Sequence, residues 1–135
     1  MFYEITAEVE KTLENGLFKK VKEQYITDCL LFTEAENKAL EYLKAFYDGE
    51  IDITAIKRSK VIEIVNETES EYYFRATVVQ TQLDDNGNEK ELKYQLLVSA
   101  PDINKATVLM QNHLQQGLDD MRLDALVKTK IIDII

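Results

Sequence analysis

Eleven residues of this chain occur twice, first as Ala55-Ile56-Lys57-Arg58-Ser59-Lys60-Val61-Ile62-Glu63-Ile64-Val65 and again as Ala125-Leu126-Val127-Lys128-Thr129-Lys130-Ile131-Ile132-Asp133-Ile134-Ile135. Position by position the copies are identical or conservatively exchanged, except for Lys57 against Val127. Their β-branched content marks both as strands. A strand that returns with its basic residues in place points to a tandem duplication, so the fold must be one that two similar halves can share.

Each half follows the same plan. Tyr3, Ile5, Ala7 and Val9 alternate with Glu4, Thr6 and Glu8, the period of a strand with one buried face. Asn15-Gly16 is a two-residue hairpin signal. The return strand is expected over 18–31, basic at its start and apolar at its end. Thr33-Glu34-Ala35-Glu36 has the form of a capping box, and Ala35, Ala39, Leu43 and Phe46 give the helix an apolar stripe that Gly49 would stop. A long strand over 51–65 and a polar connector at Asn66–Ser70 complete the first half.

In the second half, Phe74, Ala76 and Val78 are matched to Ile5, Ala7 and Val9, and Asp85-Asn86-Gly87 to Glu14-Asn15-Gly16, which implies two residues gained in the hairpin arm. Leu92, Tyr94, Leu96 and Val98 alternate along the return strand. Asn104-Lys105-Ala106 repeats Asn37-Lys38-Ala39 in a helix begun around Pro101-Asp102 and closed by Gly117, and 122–135 is the final strand.

The expected fold class is therefore α+β: tandem duplicated β-β-α-β (split βαβ) units with two helices and antiparallel or mixed sheets, related by a pseudo-twofold axis. At 135 residues the chain fits a single domain, 1–135, built of repeats 3–65 and 72–135 joined by connector 66–71. Such units can pair edge to edge or pack face to face. The short connector predicts a hairpin that joins the two sheets.

Composition narrows the chemistry. A formal charge of −9 opposes any broad grip on phosphate backbones, so a phosphate contact has to be local. Cys29 is the only cysteine, beside Leu30 and Leu31, and reads as a small buried hydrophobe. The start of the chain shows no basic region followed by an apolar run, and no stretch approaches the ~20 apolar residues of a membrane span. The expectation is a cytoplasmic protein with no membrane contact.

The basic positions of the repeated strand are the main candidates for a binding site. Strand alternation puts Arg58 and Lys60 on one face with Ile56, Ile62 and Ile64, and Lys128 and Lys130 on one face with Leu126, Ile132 and Ile134. Either these cations form two equivalent positive spots that meet phosphate or carboxylate, or they pair with Glu4, Glu8 and Glu10 or blunt a sheet edge. Tyr72 and Tyr73 are adjacent in a strand and must point to opposite faces, so one ring is free of the core face and open to a base. Ordinary packing explains strand tyrosines equally well.

Nothing supports catalysis or metal binding, and no catalytic residue, metal ligand or cofactor is expected. His113 is the only histidine, without a nearby partner in sequence, and reads as an ordinary helix residue. Asp84-Asp85-Asn86-Gly87-Asn88-Glu89 lacks the spaced ligands of a calcium loop and reads as a hairpin turn. Glu34, Glu36 and Glu41 read as a solvated helix face and cap.

In Asp52-Ile53-Thr54-Ala55-Ile56-Lys57-Arg58-Ser59-Lys60, with Phe32-Thr33-Glu34-Ala35-Glu36 before it and Lys128-Thr129-Lys130-Ile131-Ile132-Asp133 at the close, the chain resembles a small uncharacterised family of anaerobic gut bacteria and their phages and mobile elements. The resemblance runs over nearly the whole chain and implies context only. In that context the first expectation is a non-enzymatic accessory protein that binds single-stranded DNA through Arg58, Lys60, Lys128, Lys130, Tyr72 and Tyr73. The second is a protein interaction module, a phage-borne regulator or inhibitor that meets a host or phage protein or a second copy of itself through a sheet edge.

Overall fold

A computed structural model of the chain describes residues 1–65, 72–117 and 120–135. β1 (Phe2–Thr12) and β2 (Phe18–Asp28) form an antiparallel hairpin, and Tyr3, Ile5, Ala7 and Val9 are buried as their alternation predicts. α1 (Phe32–Lys44) lays Ala35, Ala39 and Leu43, spaced by four, on that face. Burying Ile5, Val9 and Leu43 contributes about 1.5–3 kcal/mol each, so this face fixes the register of the hairpin. β3 (Ile51–Arg58) returns antiparallel to β1 on the side away from β2. β2 and β3 are thus parallel with β1 between them, the split βαβ expected from the sequence.

The chain then passes through Ser59 and Lys60 into β4 (Val61–Val65). β5 (Tyr72–Leu83), β6 (Glu89–Ala100), α2 (Ile103–Gln115) and β7 (Met121–Lys128) repeat the first plan, and β8 (Ile131–Ile134) follows Thr129 and Lys130. The α2 face carrying Ala106 and Met110 packs on Phe74, Ala76, Val78, Leu96, Val98 and Ala100.

The final strands are exchanged. One four-stranded sheet has the order β3-β1-β2-β8 and the other β4-β6-β5-β7, with β8 parallel to β2 and β4 parallel to β6. β4, from the first half of the sequence, therefore completes the second sheet, and β8 completes the first. Two compact units result, Met1–Ser59 with Lys130–Ile135, and Lys60–Thr129. Ile135 reaches the α1 core and Val65 the α2 core, each beneath the helix of the other half.

The exchange replaces the single strand expected over 51–65. The break falls at the matching place in both repeats: the Ser59 N–H donates to the Phe2 carbonyl at 2.8 Å and the Thr129 N–H to the Tyr73 carbonyl at 2.9 Å, and each edge strand ends there. β4 lies against β6 rather than β5, so no β4–β5 hairpin joins the sheets. The connector predicted at Asn66–Ser70 lies outside the described residues.

The true spacing between repeats is 71 residues from β1 through the helix. Gly16 matches Gly87, Ala35 matches Ala106, and Ala39 matches Met110. The shared Asn-Lys-Ala triplet is thus a coincidence of composition, and the two hairpin arms are the same length. Each hairpin closes through a three-residue loop, with Leu13 N–H on the Leu17 carbonyl at 2.7 Å and Asp84 N–H on the Asn88 carbonyl at 2.8 Å. Gly16 and Gly87 both sit at φ 81°, where a side chain is strained.

The helix ends differ from expectation. α1 begins after Leu31 with no side-chain cap, because Thr33 already lies inside the helix, and Glu34 instead accepts from the Leu30 N–H at 3.4 Å. It ends at Lys44, before Gly49, which leaves Phe46 outside the helical stripe and exposed. α2 is capped by Asp102, whose carboxylate accepts from the Lys105 N–H at 2.7 Å.

Candidate functional site

Directly opposed residues of an antiparallel pair share a face, so register places the edge-strand cations. Arg58 lies opposite Tyr3 and Lys128 opposite Phe74, each at the end of its edge strand and on the helix side of its sheet. In the first unit the Phe32 ring, 49% exposed, meets the Tyr3 ring edge-on at 6.4 Å, so Arg58 and Phe32 both neighbour Tyr3. In the second unit Lys128 Nζ stands 3.7 Å from the centroid of the Tyr72 ring, which is 38% exposed. That is cation–π geometry, and it leaves the ammonium open to a further partner.

Lys60 and Lys130 occupy another place. They are exposed in the two-residue links that precede β4 and β8. Arg58 and Lys60 consequently do not share a strand face, as alternation had suggested, because the strand breaks between them. In the first unit Arg58 ends β3 at one edge of the sheet, while Lys130 leads into β8 at the other. Among the described residues none of the four cations has a carboxylate within 4 Å.

Tyr73 is a correction. It is 4% exposed, and its carbonyl accepts both the Thr129 N–H at 2.9 Å and the Thr129 hydroxyl at 2.8 Å. The alternation of Tyr72 and Tyr73 held, but the face of β5 that carries Tyr73 is covered, so Tyr73 offers no ring to a base. Phe32 is the ring that sequence reasoning missed; a repeat spacing of 71 would have set it at the same helix start as Ile103.

The other candidates have ordinary settings. Cys29 is buried, with its thiol donating to the Leu31 carbonyl at 3.3 Å. His113 lies 3.2 Å from Glu63. Asp84 Oδ1 accepts from the N–H groups of Asn86 and Asn88 and so organises a hairpin loop. Glu34, Glu36 and Glu41 are exposed along α1. Among the described residues no group of three or more His, Cys, Asp and Glu side chains is gathered for a metal ion.

A buried polar group unannounced by any motif sits in the first unit. Glu23 is buried, accepts from the Tyr47 hydroxyl, and has Lys11 Nζ at 3.6 Å. Burial, reinforced by the hydrogen bond and charge of Glu23, pushes the Tyr47 phenol up to about 12. Burial also raises Tyr25, with the Glu23 charge adding to it, and raises Tyr42 beside Asp133. The available signal was that Glu23 falls in phase with Val21, Tyr25 and Thr27 on the inward face of β2.

A family model described as Domain of unknown function (DUF4494) matches residues 1–135. Neither curated proteins nor solved structures return a match. No helix among the described residues is long and apolar enough to cross a membrane.

Proposed function

The chain belongs to the DUF4494 family, and from that premise, which carries no activity with it, we propose that it is a non-enzymatic accessory protein that binds single-stranded nucleic acid, DNA first, in the cytoplasm of a host of phages or mobile elements. The observation that carries this reading is the exposed Lys128 standing over the exposed Tyr72 ring at the end of one edge strand, with the exposed Arg58 at the matching end of the other, opposite Tyr3, whose ring meets exposed Phe32. A phosphate suits the cation, and an unpaired base suits the ring at roughly 1–3 kcal/mol per stack. Lys60 and Lys130, exposed in the links before β4 and β8, would supply further phosphate contacts. With the whole chain at −9, these contacts act locally and their strength falls with salt.

The test is fluorescence anisotropy of a labelled oligothymidylate at low and physiological salt. It compares the wild type with the variant Arg58→Ala/Lys60→Ala/Lys128→Ala/Lys130→Ala. Binding by the wild type with a logarithmic salt slope of about −3, and its loss in the variant, are expected for four phosphate contacts to a single strand. No binding at low salt, or equal binding by both proteins, removes the reading.

One observation favours a second reading, a protein interaction module for a host or phage protein. Leu30, Leu31 and Phe32 form a contiguous exposed apolar run at the start of α1. Such a run suits an apolar partner surface better than a phosphate chain. Leu30→Ser/Leu31→Ser separates the two readings, since it leaves oligonucleotide binding intact and abolishes capture of a protein partner. The outer edges of β4 and β8 offer a route to self-association, which sedimentation at varied concentration would register.

A further inference from the structure

The first unit contains a cleft of about 460 Å³ between the β1–β2 hairpin and the segment that links α1 to β3. Phe18, Phe46 and Tyr47 line it together with Glu10 and Asp48. Phe18 and Phe46 are 73% and 66% exposed, so neither ring serves the core. Phe46 leans on the Tyr42 ring at 4.9 Å, and the Tyr47 hydroxyl is held by the buried Glu23. Two of the three rings are therefore positioned before any ligand arrives.

The charge of the cleft is unbalanced. Lys11 stands against Glu23, while Glu10 and Asp48 have no ion-pair partner among the described residues. The Glu10 side chain lies against Gly49: a Cβ there would come within 2.9 Å of Glu10 Oε2 and 3.2 Å of its Cβ, so a side chain at this position would displace the carboxylate. At the same places in the other repeat stand Glu89 for Phe18 and Gly117 for Phe46, at the spacing of 71. The aromatic lining belongs to one half of a duplicated fold, and the fold does not require it.

Three rings and two carboxylates without a close ion pair, in an open cleft that Lys11 also lines, have a matching ligand chemistry. Two carboxylates are too few for a calcium ion, which takes about six to eight oxygen ligands. A neutral apolar ligand would leave both charges without a partner. An organic cation uses every part, since its charge meets the carboxylates and its alkyl groups meet the ring faces. We propose that this cleft is a binding site for an alkylammonium group, carried by a free amine or by a lysine side chain. The proposal is independent of the nucleic-acid reading, because none of the four strand cations lines the cleft.

The test titrates the isotope-labelled full chain by NMR with choline, with N-acetyl-lysine methylamide, with its trimethylated form, and with dimethylbutanol, the uncharged carbon isostere of choline. Saturable shifts centred on Phe18 and residues 46–49 are expected for at least one cation, with the isostere at least about tenfold weaker. Strongest binding by choline assigns the site to a free amine, and strongest binding by an acetyl-lysine form assigns it to a peptide. Phe18→Ala and Phe46→Ala should each weaken binding about two- to fivefold. Both positions are exposed, so an unchanged melting temperature shows that the variants fold. Glu10→Gln/Asp48→Asn should weaken the cations and leave dimethylbutanol alone. The absence of saturable shifts with every cation overturns the proposal, as does equal binding of the isostere or indifference to both phenylalanine variants.

Discussion

His113 Nε2 on α2 lies 3.2 Å from Glu63 Oε1 on β4, and this contact has a counterpart in the Tyr42 hydroxyl of α1, which donates to Asp133 Oδ2 of β8 at 3.3 Å. At matching positions, each helix therefore holds the acidic residue of a strand contributed by the other half of the sequence. The chemistry differs: one contact is an ion pair when the imidazole is protonated, and the other is a phenol–carboxylate hydrogen bond.

The two latches should act separately. Because His113 and Glu63 are partly exposed, a double-mutant cycle should give a coupling of about 0.2–1 kcal/mol. Tyr42→Phe should cost about 0.5–1.5 kcal/mol. Amide exchange resolves them: His113→Ala should speed exchange in β4 and leave β8 unchanged, and Tyr42→Phe should do the reverse. Equal effects of either change on both strands would mean that the latches are not local.

The cores match in layout and differ in filling. Ile5, Tyr25 and Ala39 in one unit stand where Ala76, Leu96 and Met110 stand in the other, all buried. A small helix residue thus goes with larger strand residues, and a large one with smaller. Met110→Ala should leave a cavity and cost about 2–5 kcal/mol. Ala39→Met should overpack the first unit and cost about 1–3 kcal/mol, read from urea midpoints at constant slope. A neutral Ala39→Met would show that the first core has room that its packing denies.

The tyrosine group makes stability fall in alkali. Tyr47 keeps its proton up to about 12 in the folded chain, against a usual 10.0. Below pH 10.0 both states hold that proton and the stabilisation is whole. Above it the unfolded chain releases the proton first, so stability declines as pH rises toward about 12. Raised Tyr25 and Tyr42 act in the same direction. Urea midpoints across this range should fall less steeply in Tyr47→Phe than in the wild type, and parallel slopes would contradict the assignment.

The loop glycines offer a matched pair of tests. Gly16 and Gly87 share φ 81°, and a Cβ at either place would meet nothing within 4 Å. Any cost of Gly16→Ala or Gly87→Ala is then backbone strain alone, about 1–2 kcal/mol in each repeat. Thermal melts of the two variants should agree, and a large disparity would mean that the loops are not equivalent.

How far the sequence disclosed this molecule depends on whether a residue's role was set locally. Alternation in Tyr3–Val9 and the spacing of Ala35, Ala39 and Leu43 report burial directly, and the split βαβ followed from them. The break at Ser59 and Lys60 left no such mark, because the same β-branched pattern continues on both sides of it. Nor could the exchange of β4 and β8 be read, since Val61-Ile62-Glu63-Ile64-Val65 and Ile131-Ile132-Asp133-Ile134-Ile135 are similar enough to fit either sheet. In the candidate site the cations were legible as repeats. The burial of Tyr73 had a signal that alternation alone passes over: Tyr72-Tyr73-Phe74 and Val78-Val79 are continuous apolar runs, the mark of a strand covered on both faces. Phe18 and Phe46 read as strand and helix residues until the hairpin and the α1–β3 link placed them on one cleft.

Every placement above rests on the exchange of the last strand of each repeat. Cross-strand nuclear Overhauser effects on a selectively labelled, dilute monomeric sample test it most directly. The account predicts contacts from Gln24 to Ile131 and from Ile26 to Ile134, and from Leu97 to Ile64 in the other sheet. Contacts from Gln24 and Ile26 to Val61 and Ile64, which would leave each repeat with its own final strand, would contradict it.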